Sequence, residues 1–193
     1  MANLATVLAT LTALQAAQAC IRPKPKQCVA HTISMQLLDY KTPGGQTMEG
    51  KCCDIQIGRK CTFSCDLYFQ VCLEPANKAT NETAECATGW KKSSVVLQNA
   101  NSVTFEAKEY GEYKNPYTVT GDNAYRGFNL KLRVLDRDVL GSFDDLVDQF
   151  ATKVEVSDER KAPDVWYKTR FENERAKAST TETNFRYKFL CTY

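Results

Sequence analysis

Four carboxylates fall within ten residues of this 193-residue chain: Asp136, Asp138, Asp144 and Asp145. Two carboxylates about 4 Å apart repel by roughly 4 kcal/mol at an effective dielectric of 20. Either these side chains diverge into water as turn residues, screened by Arg137, or something cationic sits among them. Little else in the chain points to chemistry. The single histidine, His31, lies on a predicted strand, so a Ser-His-Asp or Cys-His site has little to build on. There is no glycine-rich phosphate loop, and the adjacent Asp144 and Asp145 are not the separated acid and base of a glycosidase. The chain is expected to bind rather than to catalyse.

The elements that must position these carboxylates alternate with period two. Phe128, Leu130, Leu132 and Val134 interleave with Asn129, Lys131 and Arg133, directly before Asp136. The same pattern runs through Ile33, Met35 and Leu37; Val154 and Val156; Val165, Tyr167, Thr169 and Phe171; and Phe185, Tyr187, Phe189 and Cys191. Less regular β-rich runs occupy 67–73, 95–97 and 103–105, with turn residues at 42–45, 99–101 and 120–123. Seven or eight such runs predict an antiparallel sandwich, each sheet having one buried and one wet face. Short helical turns are expected only at 143–150 and 173–181.

A chain of this length is one domain by default and buries about 70% of its unfolded surface. Its net charge of +2 and scattered Lys and Arg give no basic stripe, so nucleic acid is not expected as a partner. Residues 4–14 are apolar, and Ala17-Gln18-Ala19 places small residues where a signal peptidase reads. Residues 1–19 are therefore expected to be a signal peptide, although no Lys or Arg precedes the apolar run; the alternative is an amphipathic first helix. A lipoprotein anchor at Cys20 lacks the leucine it needs three residues earlier. Residues 20–30, with Arg22-Pro23-Lys24-Pro25-Lys26, are expected to form an extended lead-in. The product is expected to be secreted, and nine cysteines then read as disulfides rather than as a zinc site. One thiol is odd by count. Asn81-Glu82-Thr83 is a glycosylation sequon, so Asn81 is a candidate glycan site.

Six of the cysteines follow the pattern Cys-Cys-x7-Cys-x3-Cys-x6-Cys-x13-Cys from Cys52 to Cys86. Inside it stands the run from Arg59 to Leu73, with Arg59-Lys60-Cys61 followed by Cys65-Asp66-Leu67-Tyr68-Phe69-Gln70-Val71-Cys72-Leu73. This run resembles the N-terminal domain of Notch ligands, the Delta and Jagged/Serrate proteins. Residues 101–105 resemble that family's next strand, and 128–136 its strand ending in Asp. Residues 184–193 resemble the entry to the DSL module that follows in those proteins. The resemblance covers about residues 31–193.

It implies an all-β fold, a C2-type antiparallel sandwich of eight strands with disulfide-stapled loops, spanning 31–183 and followed by the start of a DSL-like segment. It implies the pairs Cys61–Cys65 and Cys72–Cys86, with Cys20–Cys28 a plausible extra bridge. It leaves Cys52 and Cys53 unassigned. Cys191 matches the first DSL cysteine. C2 domains often bind calcium at carboxylates spaced as Asp136, Asp138 and Asp144 are, and at an aspartate before a Tyr-rich strand, here Asp66. Asp54 and Asp145 are further candidates. Calcium takes about six to eight oxygen ligands, so loops from distant parts of the chain meeting at one rim would suit it. Lys60 stands where a further aspartate is expected. Apolar tips beside such a rim, Leu140, Phe143 and Leu146, are candidates for contact with a phospholipid surface; Phe143 and Leu146 alternatively pack onto the core. The partners implied are the EGF-like repeats of a Notch receptor. The chain stops before DSL and EGF modules, which fits a soluble modulator or a fragment. The alternatives are a secreted calcium- and phospholipid-binding C2 protein, or a disulfide-stabilised structural protein.

Overall fold

A computed structural model describes residues 30–42, 45–53, 56–57, 60–62, 64–76, 85–98, 100–122, 127–138, 144–155, 166–170 and 182–192. Expectations for the leader, for the lead-in up to residue 29, and for Cys20, Cys28, Asp54, Asn81, Leu140, Phe143 and 173–181 lie outside these residues; Ala30 already belongs to β1. Within them the secondary structure is β, and every strand pair is antiparallel. In chain order the strands are β1 (Ala30–Lys41), β2 (Gln56–Ile57), β3 (Lys60–Cys61), β4 (Leu67–Pro75), β5 (Lys91–Lys92), β6 (Ser102–Thr104) and β7 (Glu109–Tyr110). They continue with β8 (Tyr113–Lys114), β9 (Tyr117–Asp122), β10 (Gly127–Asp136), β11 (Leu146–Glu155), β12 (Tyr167–Arg170) and β13 (Glu182–Thr192).

Two sheets carry the fold. One runs β12-β13-β1, and the free edge of β1 is shared end to end by β9 and β6. The other runs β11-β10-β4-β5. Counting the shared edge once, these two sheets hold eight strand positions among the described residues, the number that the resemblance implies. Alternation decides the inner faces: Ile33, Met35 and Leu37 meet Phe185, Tyr187 and Phe189 on one sheet. Leu67, Phe69, Val71 and Leu73 meet Phe128, Leu130, Leu132 and Val134 on the other. Edge-to-face rings join the sheets, with Tyr40 5.3 Å from Phe69 and Phe128 5.2 Å from Tyr187 between centroids. Such pairs add about 0.5–1.5 kcal/mol beyond their area burial.

A register shift between Leu37 and Asp39 moves the inward position from Leu37 to Tyr40. Here β9 has ended and β6 has not begun, so the edge of β1 would be open. The Asn115 side chain fills the gap. Its Oδ1 accepts from Leu37 N at 3.0 Å, and its Nδ2 donates to Leu37 O at 3.0 Å, as a paired strand residue would. It also accepts from the Tyr113 hydroxyl at 2.7 Å and donates to Glu106 O at 2.9 Å.

Several expectations need correction. Cys61 and Cys65 are not bonded to each other; among the described residues the bridges are Cys52–Cys61, Cys53–Cys65 and Cys72–Cys86. Neighbouring residues in extended chain point opposite ways. Cys53 turns into the core and meets the buried Cys65, while Cys52 stays half-buried. The β2–β3 ribbon folds Cys61 back to within 5.2 Å of Cys52 between Cα atoms. The helical turn expected at 143–150 is instead the start of β11 from Leu146 onward. Leu146, Val147, Phe150 and Val154 do carry helical spacing, but pairing with β10 along its whole length overrides it. Of the turn expected at 120–123, residues 120–122 are instead strand, because β9 continues through Gly121 to Asp122 against β1; residue 123 lies outside the described residues. Residues 95–97 form no strand beyond a single bridge of Leu97 to Leu67.

Candidate functional site

Antiparallel pairing brings the start of β4, the end of β10 and the start of β11 to one end of the second sheet. Asp136 pairs with Leu67, and Leu135 pairs with both Tyr68 and Leu146. Residues 66, 136 and 144, distant in sequence, therefore reach one rim. Backbone bonds tie it together: Asp136 N donates to Asp145 O at 2.8 Å and Arg137 N to Asp66 O at 3.0 Å.

The carboxylates take separate partners. Asp136 continues the inward set of β10 and is 1% exposed. Its Oδ1 accepts from Asp66 N at 2.6 Å, and its carboxylate lies against the buried Cys53–Cys65 bridge. Tyr68 lies on the opposite, outward side of β4, apart from the core cluster that takes Leu67 and Phe69. Its hydroxyl donates to Asp144 Oδ2 at 2.5 Å. Burial, and then that carboxylate, hold the Tyr68 hydroxyl well above the usual phenol range. Asp136 and Asp144 are thus held on opposite sides of the sheet end.

A cation does sit at this rim. Lys92, on the edge strand β5, places its ammonium 3.7 Å from Asp144 Oδ2 and 4.2 Å from the centre of the Tyr68 ring. Lys92, Tyr68 and Asp144 line a cavity of about 290 Å³ together with Ser93, Ser94, Val95, Arg137 and Asp138. Ser93 anchors that edge, its Oγ accepting from Phe69 N at 2.8 Å. Sequence reasoning missed Lys92, and no local signal marks it. It sits 24 residues from Tyr68 in a polar stretch, and only the Gln70–Lys92 pairing brings it across.

A calcium cage needs oxygens from several carboxylates converging on one point. Among the described residues, no three of these aspartates bring their oxygens within 4.8 Å of one another. The groups that do converge are Cys53, Cys65 and Asp136, and Cys72, Glu74 and Cys86. Their sulfurs are joined in disulfides and offer no thiolate. The described donor set, with Asp144 already holding a hydroxyl and an ammonium, does not fit a divalent ion as it stands. Asp145 is exposed, and Leu146, a candidate lipid-facing tip, is the half-buried first residue of β11.

Further along the outer face of the same sheet, the Cys72–Cys86 bridge and a buried ion pair clamp the chain leaving β4. Lys131 Nζ lies 3.0 Å from Glu74 Oε2 and donates to Glu85 O at 2.9 Å, while Ala87 N donates to Glu74 Oε1. Arg133 stacks on Trp90, its guanidinium carbon 4.9 Å from the ring centre. The outer face between Tyr68 and Glu74 is thereby covered by the segment that carries Lys92.

Comparison with known proteins agrees with this architecture. A C2 domain protein from Ramazzottius varieornatus superposes with a TM-score of 0.62 at 14% identity, over 88% of this chain and 93% of that one. A Drosophila C2-DSL-EGF1 structure superposes with a TM-score of 0.58 at 19% identity, over 84% of this chain and 68% of that one. The fold is a C2-type β-sandwich. The sequence model of the N terminus of Notch ligand C2-like domain matches residues 31–189. The chain belongs to that family: it is a Notch ligand N-terminal C2-like domain. Among curated relatives, zebrafish (Danio rerio) protein jagged-1b is 26% identical over 110 residues, which are 55% of this chain. The match spans 9% of the length of that relative.

Proposed function

We propose that this domain acts outside the cell in Notch signalling, by binding the EGF-like repeats of a Notch receptor. It works as a recognition module and not as a catalyst. The observation that carries the reading is the family match across residues 31–189, which takes in both sheets and the whole described rim. The braced rim suits such a role. Loops at the end of a rigid sandwich present contacts on fixed supports, and the disulfide between Cys53 and Cys65 sits directly beneath it. The test is interferometry of the purified, disulfide-intact chain over an immobilised Notch EGF-repeat ectodomain, with the same ectodomain reduced and alkylated as control. Saturable binding to the native surface alone is expected. Equal signals on both surfaces would mean nonspecific adhesion and would remove the receptor from the reading.

A further inference from the structure

We infer that Lys92 is the built-in cation of the acidic rim, so that this end of the sandwich keeps its shape without calcium. The inference rests on the geometry of the rim and not on the receptor reading. Crowded carboxylates need compensating charge, and a mobile divalent ion and a tethered ammonium are two ways to supply it. Here the tethered one is in place. The Lys92 ammonium lies between the Tyr68 ring face and Asp144 Oδ2, at 4.2 and 3.7 Å. Both partners are set up to receive it. The ring face offers the negative side of its quadrupole, and the Tyr68 hydroxyl fixes the carboxylate by donating to the same oxygen. The backbone delivers the lysine through the pairing of β5 with β4 and the Ser93 anchor beside it.

Charge counting around the cavity points the same way. Among the described residues its walls carry Lys92 and Arg137 against Asp138 and Asp144, two cations for two anions. A divalent ion entering there would meet an ammonium, repelled at the distance where it needs an oxygen. Asp136, the third carboxylate of the expected cage, is turned to the other side of the sheet end and holds the Asp66 amide. Moving it into a cage would release that amide at the entry to the central strand.

The experiment is thermal unfolding of the wild-type chain, Lys92→Met and Lys92→Arg, each in millimolar calcium and in chelator at low salt. Terbium luminescence sensitised by Tyr68 serves as a second readout. The wild type should melt at the same temperature in both conditions and show no bound terbium. Lys92→Met should melt about 2–4 °C lower in chelator, the shift for losing one partly exposed contact of this kind in a domain of this size. Calcium should restore the loss and terbium should bind, because the vacated place is then open to a divalent ion. Lys92→Arg should behave as the wild type. A calcium-dependent rise in the wild type that disappears in Asp144→Asn would overturn the inference. So would a Lys92→Met protein with unchanged melting, or one whose loss is insensitive to added salt, since packing and not charge would then be the cause.

Discussion

Replacing Asn115 by alanine tests the most local claim made for this fold, that a side-chain amide completes an interrupted sheet edge. Asn115 is 1% exposed and makes four hydrogen bonds of 2.7–3.0 Å, two of them to the backbone of Leu37. Each contributes about 1 kcal/mol net, with buried groups left unpaired costing up to about 3 kcal/mol each. The substitution should therefore cost about 4 kcal/mol and lower the melting temperature by roughly 10 °C for a domain of this size. Urea unfolding gives the free energy, and hydrogen exchange gives the location: the Leu37 amide should lose protection far more than the Met35 amide, which sits in the intact β1–β9 ladder. Asn115→Asp supplies a signed control. A carboxylate there faces Leu37 O and Glu106 O, where the amide nitrogen donates now, so the folded state favours the protonated acid and its pKa rises. The variant should be least impaired below about pH 4 and lose stability as pH rises through the ordinary carboxylate range. A cost under about 1 kcal/mol for Asn115→Ala, or an unchanged Leu37 amide, would refute the edge-filling role.

Two further outcomes follow from buried charge and burial of phenols. Lys131→Met leaves Glu74, which is 0% exposed, without its cation; the loss should be about 3–5 kcal/mol, and adding Glu74→Gln should recover a large part of it, as read by denaturant titration of the single and double variants. Burial holds the hydroxyls of Tyr40 and Tyr113 well above the usual phenol range, with Asp148 adding to the effect at Tyr40. Their contribution is fully present below about pH 10 and is lost above it, at about 1.4 kcal/mol per pH unit for each ring that stays protonated when folded; unfolding titrations on either side of that pH, with tyrosinate absorbance, should show the decline.

The large elements were legible because inward positions along each strand are apolar and most outward positions are polar. The alternation at 128–134 predicted β10 and its inward set down to Val134, and Phe185, Tyr187 and Phe189 did the same for β13. Where both faces are covered the signal fades. In β4 nearly every residue is buried, since the segment after Cys72 folds over its outer side. The resemblance to C2 domains implied that Asp66, Asp136 and Asp144 share one rim, and their backbones do meet there, because strand ends meet wherever antiparallel strands pair. It said nothing about which side of the sheet each carboxylate takes, and that depends on strand parity and on the Cys53–Cys65 bridge. Lys92 was invisible for the same reason: its contact with Asp144 is made across a pairing of short strands that no local pattern encodes.

The measurement closest to the central claim is competition at the receptor. A full-length Notch ligand is bound to an immobilised EGF-repeat ectodomain, and the purified chain is titrated in as competitor, at constant calcium so that the receptor repeats keep their fold. Saturable displacement is expected from the disulfide-intact chain and none from the reduced chain. An undiminished ligand signal at high micromolar chain would contradict it, and would mean that this C2-type domain does not occupy the receptor surface on its own.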